Sequence, residues 1–299
     1  MNLYQTIIKE LPQIAVLENE PLSKHTSFRV GGPAEVFVQP KTEAELAQTL
    51  RLCADLGVQP VLLGAGTNVI APDEGLSGVV ICTRDCLAGL RRLTDTEIEA
   101  DCGVPLAKLA VFARDHGLTG LEFAHGIPGT VGGGMVMNAG AYGGEMRQVA
   151  VKTTVMDCDG TTRDFIGEAQ KLSYRHSAFM DEGCIVLRTV FRLAPGDKDA
   201  ITATMRELSD RRRASQPLDR PSAGSFFKRP EGCFAGKLIQ DAGLKGFTVG
   251  GAQVSEKHAG FVVSLGSATC ADIKALMAEV QRRVYENSGV MLEPEVRFL

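Results

Sequence analysis

The 299-residue sequence predicts a mixed α+β protein of more than one domain. Three observations carry this reading. Short apolar runs of strand texture alternate with amphipathic stretches of helical period. Glycine, 33 residues in all, is concentrated between Gly126 and Gly144. The length itself exceeds one ordinary core: at roughly 100 to 200 residues per domain the chain makes two or three, and a globular chain this size buries about 75% of its unfolded surface. Such a chain folds without disulfides or a structural metal.

Charge excludes several function classes. With 32 Lys+Arg against 36 Asp+Glu the net charge is -4, so there is no basic field for wrapping nucleic acid or docking on anionic lipid. No stretch approaches 18 uninterrupted apolar residues, and the charged, amphipathic start is unlike a secretory signal. A cytoplasmic protein with no nucleic-acid or membrane partner is expected. The eight cysteines contain no Cys-x-x-Cys and the five histidines show no ligand spacing, so no metal is expected and the thiols are read as small apolar side chains.

The elements follow in order. Residues 1 to 20 read as a helix with Leu3, Ile7, Ile8, Leu11 and Ile14 on one face. Val36-Phe37-Val38 reads as a strand ending at Pro40. Thr42 to Gly57 is a helix, with Thr42 as N-cap and Glu45 closing a capping box. Pro60 to Leu63 is a strand running into the turn Gly64-Ala65-Gly66-Thr67-Asn68. Strand texture returns at 78–82 and 97–102, and Pro105 to His116 is a helix presenting Leu106, Leu109, Ala110 and Ala113. Residues 149–165 and 183–193 are strands, with Gly160 in a hairpin turn. Residues 193–198 read as a linker, 199–215 as a helix, and 259–265 as a strand. A helix over 270–287 has Thr269 as N-cap, Gly289 past its end and Ile273, Leu276, Met277, Val280 and Val284 as its buried stripe. Val290 to Phe298 reads as a closing strand.

Several motifs bear on chemistry. A glycine-rich turn after a strand exposes backbone N–H groups to an anion with no Cβ in the way. Gly64 to Asn68 has that form, yet it is not a Gly-x-Gly-x-x-Gly fingerprint, and an ordinary tight turn accounts for it equally well. Between Gly126 and Gly144 stand eight glycines in nineteen residues. The interleaved Ile127, Pro128, Val131, Met135 and Val136 argue against a flexible linker, which would be polar. A backbone surface pressed against a large flat ligand is the favoured reading. Arg175 is either a carboxylate clamp or an exposed charge. Ser225, followed by two phenylalanines, is read as a hydroxyl fixed in a dry pocket, and it lacks the elbow of a hydrolase nucleophile. By default Glu295, near the chain end, is a solvated charge.

Seven segments in order resemble one family: His25–Gly32, Gly64–Asn68, Gly126–Glu145, the Ser-Tyr-Arg-His-Ser-Ala-Phe run from Ser173, Ala223–Pro230, Ala235–Gly246 and Leu292–Phe298. Together they resemble the UDP-N-acetylenolpyruvoylglucosamine reductases, also called UDP-N-acetylmuramate dehydrogenases. The resemblance implies the two-subdomain FAD-binding fold of the vanillyl-alcohol oxidase type, here residues 1–85 and 86–196, plus a C-terminal α/β substrate-binding domain, 197–299. It implies FAD as cofactor, NADPH as co-substrate and reduction of the enolpyruvyl ether of UDP-N-acetylglucosamine to UDP-N-acetylmuramate, in the peptidoglycan synthesis that serves cell-wall growth, shape and division. A monomer is expected.

Carried over by motif, the resemblance implies Arg175, Ser225 and Glu295 as catalytic residues converging on the flavin ring. Gly64, Ala65, Gly66, Thr67 and Asn68 would hold the FAD pyrophosphate. Ile127, Pro128, Gly129, Thr130, Gly132, Gly133, Asn138, Gly140 and Ile185 would line the cofactor. Tyr174, Lys228, Arg229, Lys237 and Gln240 would meet the sugar nucleotide or NADPH. No tyrosine lies between Arg175 and Ser225, as in the compact subclass that lacks a tyrosine lid. Two other readings compete: a flavin oxidase of the same fold, which air would reoxidise rapidly, and a non-catalytic UDP-sugar-binding protein without flavin colour.

Overall fold

The computed structural model describes residues 2–84 and 86–299. Met1 and Asp85, the two ends of the first segment divided from the sequence, lie outside the described residues. The chain forms two compact units, each assembled from separated stretches. The first holds residues 1–18, 36–65 and 78–211, and the second 19–35, 66–77 and 212–299.

Two sheets organise the first unit. One has the strand order Ala15–Pro21, Pro33–Gln39, Leu76–Cys82, Val61–Leu63, the last two parallel with Val61 opposite Val80. Its core joins Val36, Val38, Val79 and Ile81 to Leu46 and Leu50 of the helix Glu43–Asp55. The other is five-stranded and antiparallel, in the order Thr162–Ile166, Ala150–Met156, Ile185–Arg192, Glu97–Asp101, Leu90–Arg92. Over it packs the helix Leu106–Asp115, whose Leu106, Leu109, Ala110 and Ala113 are all buried, as its period requires. The helix ends at Gly117, where φ is +67°, the left-handed conformation that glycine adopts without a Cβ clash.

Three expectations for the first unit are corrected. The first helix spans only Leu3–Glu10; Leu11 caps it by donating its N–H to the Ile7 carbonyl at 2.8 Å, Pro12 follows, and Ala15–Pro21 is a strand. Proline has no N–H to continue the ladder and clashes with the preceding turn. Ile7, Leu11 and Ile14 are nevertheless all buried together, so the apolar spacing was real although the helix was not. At the second helix Thr42 accepts the Glu45 N–H at 3.2 Å, but the Glu45 carboxylate takes the N–H of Lys41 at 2.6 Å instead of closing a box on Thr42. The stretch read as a linker is pinned: Ala194 and Pro195 pair with Thr119 and Leu118, and Gly196 donates to the Gly117 carbonyl at 2.8 Å.

The second unit is a four-stranded antiparallel sheet in the order Ser222–Ser225, Phe261–Ser264, Ala252–Val254, Thr248–Val249. The helix Cys270–Ser288 buries Ile273, Leu276, Val280 and Val284 against Phe226, Val262 and Phe28 in one core. Thr269 and Asp272 form its capping box, and Gly289 at φ +71° ends it. The closing stretch is strand only at Arg297–Phe298, which pair in parallel with Val69–Ile70. Pro294, with no N–H, interrupts the longer strand read from the sequence.

Asp272 accepts the N–H groups of Gly251 at 3.0 Å and Thr269 at 3.1 Å. These two backbone donors hold its carboxyl below the usual carboxylate range. A lowered folded-state value stabilises the fold above the unfolded pKa of about 3.9 and is lost as pH falls through the lowered value. Asp272→Ala is therefore expected to cost about 1 kcal/mol near neutral pH. In urea unfolding, the gap to the parent should close as the solution is acidified.

Candidate functional site

The first unit contributes a cradle of bare backbone. Gly64 and Ala65 end the strand Val61–Leu63, and the loop Ile127–Thr130 leads into the short helix Val131–Val136, whose N-cap Thr130 makes no side-chain capping bond. A Cβ placed on Gly64 would meet only the Thr130 hydroxyl, at 3.4 Å, and one on Gly133 only the same hydroxyl, at 3.9 Å. Two glycines and a buried hydroxyl thus leave a space that side chains would fill, as an approaching phosphate group requires.

Three other glycines of the rich segment have internal reasons. Gly132 carries no side chain because the Cβ of Cys102 would stand 3.0 Å from its own, and a Cβ on Gly144 would come within 2.4 Å of the Phe123 ring. Gly140 lies against the Gly144 carbonyl, 2.7 Å from its Cβ position, in the two-stranded ribbon Gly140–Ala141 and Gly144–Glu145. The flat-ligand surface read from the whole stretch thus reduces to part of it. Of the other residues assigned to the cofactor, Pro128 is exposed, Ile127 and Gly129 are half-buried, and Ile185 lies in the core beneath the helix Glu43–Asp55, packed with Met156 and Leu187.

Arg175 sits at the tip of a two-residue turn. Ser173 and His176 exchange backbone hydrogen bonds of 3.1 and 3.2 Å, and Arg175 takes φ +56°. Its guanidinium stands 5.1 Å from the ring of the exposed Tyr174. Both flanks of the turn are fastened to the glycine-rich segment. The buried Asn138 donates its amide to the Ser173 carbonyl and to Glu145, each at 2.9 Å, and the Ser177 hydroxyl donates to the Val136 carbonyl at 2.7 Å. Asn138 itself takes φ +42°, which asparagine tolerates better than most residues. Sequence reasoning gave Ser177 no role, although it lies in the run from Ser173 to Phe179 and is the N-cap before Ala178–Glu182, where its side chain accepts the Met180 N–H.

The second unit brings other candidates to one sheet edge. Phe227 pairs with Pro294, Lys228 donates its N–H to the Glu293 carbonyl at 2.8 Å, and Glu295 donates to the Phe226 carbonyl at 2.9 Å. Ser225 and Glu295 are therefore close neighbours across this pairing. Ser225 is exposed while Phe226 and Phe227 are buried, which corrects the dry pocket expected for the hydroxyl. Asn68 joins the same edge, its amide donating to the Glu295 carbonyl at 3.2 Å. Gly66, at φ +63°, passes so near His25 that a Cβ would lie 1.9 Å from the His25 carbonyl oxygen. Lys228 pairs with Glu293 at 3.1 Å, Arg229 stands 4.0 Å over the Phe234 ring, and Lys237 pairs with Asp241. Gln240 is exposed on the helix Ala235–Asp241, one turn beyond Lys237.

Cys86 and Cys102 are buried thiols shifted away from the thiolate form. Burial, with carboxylates at Glu45, Glu43 and Asp101, pushes Cys86 up to about 12, and burial raises Cys102 as well. Among the described residues no group of three or more His, Cys, Asp or Glu could hold a metal ion, and no helix is long and apolar enough to cross a membrane.

Residues 34–165, which include Gly64, Thr130 and Gly133, match the FAD binding domain family. The protein is an FAD-binding oxidoreductase. Residues 216–299 match the UDP-N-acetylenolpyruvoylglucosamine reductase C-terminal domain. The chain is 44% identical to the UDP-N-acetylenolpyruvoylglucosamine reductase of Agathobacter rectalis, over 99% of this chain and 97% of that one. It is 46% identical to that of Listeria monocytogenes serotype 4a, over 100% and 99%. The crystal structure of the Thermus caldophilus enzyme superposes with a TM-score of 0.78 at 33% identity, covering 96% of this chain and 98% of that one. The chain belongs to the UDP-N-acetylenolpyruvoylglucosamine reductase family, the reductases of peptidoglycan precursor synthesis.

Filling the cradle separates binding from folding. Gly133→Ala is expected to keep the melting temperature within a few degrees, because only a hydroxyl at 3.9 Å faces the new methyl. It should weaken FAD binding by about tenfold or more, read by fluorescence titration of the flavin. Gly66→Ala, by contrast, is expected to destabilise the fold by more than about 2 kcal/mol through its clash and its positive φ.

Proposed function

We propose that the protein reduces the enolpyruvyl ether of UDP-N-acetylglucosamine to the lactyl ether of UDP-N-acetylmuramate, with NADPH as electron donor, in the cytoplasm. In this reading residues 1–85 and 86–196 serve FAD and residues 197–299 serve the sugar nucleotide. The observation that carries the reading is the exposed Ser225 standing next to Phe226, whose carbonyl accepts the Glu295 N–H, on one sheet edge of the second unit. The full-length likeness to named reductases supports it.

When bound, beside Gly64, Gly133 and Thr130 in this reading, FAD would supply the hydride chemistry that links NADPH to the substrate. The protein supplies placement, charge and a proton. As the vinyl ether is reduced at its terminal carbon, negative charge develops on the carbon next to the carboxylate. Arg175 opposes that charge as it spreads into the carboxylate, the place where a fixed cation acts most strongly. Ser225 gives its proton to the carbanionic carbon, for which a hydroxyl is acid enough when held in place. Protonated, Glu295 donates a hydrogen bond to the same enolate-like charge. Lys228, Arg229, Lys237 and Gln240 are assigned to the diphosphate and the NADPH phosphates, and Tyr174 to the substrate beside Arg175.

Ser225→Ala is expected to slow oxidation of the reduced flavin by the enolpyruvyl substrate by about 10² to 10⁴, the usual worth of a placed acid. Reduction of the flavin by NADPH should change only a few-fold. Stopped-flow measurement of the two half-reactions checks both. Equal slowing of the halves, or of neither, would remove Ser225 from the proton step.

A further inference from the structure

Glu295 lies on a segment with almost no regular structure, strand only at Arg297–Phe298, yet its peptide is held from both sides. Its N–H donates to the Phe226 carbonyl at 2.9 Å, and its carbonyl accepts the Asn68 side-chain amide at 3.2 Å. The main-chain carbonyl of Asn68 in turn accepts the Arg297 N–H at 3.0 Å. One residue of the glycine-rich turn therefore grips the closing segment on either side of Val296. A residue bonded at both its N–H and its C=O has little freedom in φ and ψ. The bond between Cα and Cβ then leaves the chain in a fixed direction.

We propose that Asn68 is the positioning residue for Glu295. Its amide sets the direction in which the Glu295 carboxyl leaves the backbone, and it ties the proton chemistry to the turn assigned to the cofactor phosphates. The inference rests on the role given to Glu295 above. Losing the amide frees the Glu295 peptide on its carbonyl side, so it bears on the half-reaction in which Glu295 acts.

Asn68→Ala and Asn68→Ser, neither of which spans the contact, are loaded with excess FAD and followed by stopped flow beside Glu295→Gln. Oxidation by the enolpyruvyl sugar nucleotide should slow by about 10 to 10², the cost of a misplaced group about 1 Å out of register, and at least about tenfold more than reduction by NADPH. Adding Asn68→Ala to Glu295→Gln should cost less than about twofold further, since the two act through one group. Amide hydrogen exchange over residues 290–299 of the loaded protein should quicken at least about tenfold in Asn68→Ala. Equal slowing of both half-reactions, or unchanged exchange over 290–299, overturns the positioning role and leaves Asn68 a cofactor ligand. If Glu295→Gln slows neither half, the role of Glu295 fails and the inference with it. A slowed Glu295→Gln beside a full-speed Asn68→Ala sinks the inference alone.

Discussion

Parallel pairing of Arg297 and Phe298 with Val69 and Ile70 is the contact that holds the closing segment of the second unit in place. It joins residues more than two hundred positions apart through main-chain hydrogen bonds, which carry no side-chain signature in the sequence. Behind it, Ile70, Phe28 and Val296 share one core with Phe226 and Val280. The closing segment is thus fixed from both faces, by a short ladder and by burial of its apolar residues. Glu295 and Ser225 gain their neighbourhood from this arrangement rather than from any local motif.

Glycine does two different jobs in the first unit. At Gly132, Gly140 and Gly144 the missing Cβ lets backbone and core atoms approach one another, so a methyl there would strike protein. At Gly64 and Gly133 it leaves open a space beside the Thr130 hydroxyl. Composition cannot separate these roles, because both appear as the same letter in the same run. The local clash distance does separate them, because only at Gly64 and Gly133 would an added methyl meet little of the protein.

The candidate catalytic side chains also differ in how they are held. Arg175 occupies a strained left-handed position that persists because Asn138 and Ser177 tie down both flanks of its turn. Ser225 is held by the edge strand Ser222–Ser225, with a positive φ at Gly224 just before it. Exposed ion pairs such as Lys228 with Glu293 and Lys237 with Asp241 add little stability in water.

Local signals in the sequence were enough for the helices with clear caps and a single apolar face, as at Leu106–Asp115 and Cys270–Ser288. Caps and 3.6-residue period act within a few residues, so they are written in the sequence itself. They failed where proline broke an apolar pattern, at Pro12 and Pro294, because the spacing of apolar residues records burial and not the path between them. Tertiary structure alone decided that residues 19–35 and 66–77 fold with 212–299, that Ile185 faces the core, and that the Asn68 amide bonds to Glu295. Each of these is a contact between distant parts of the chain. Such contacts are selected by the packing of whole surfaces, which no local period encodes.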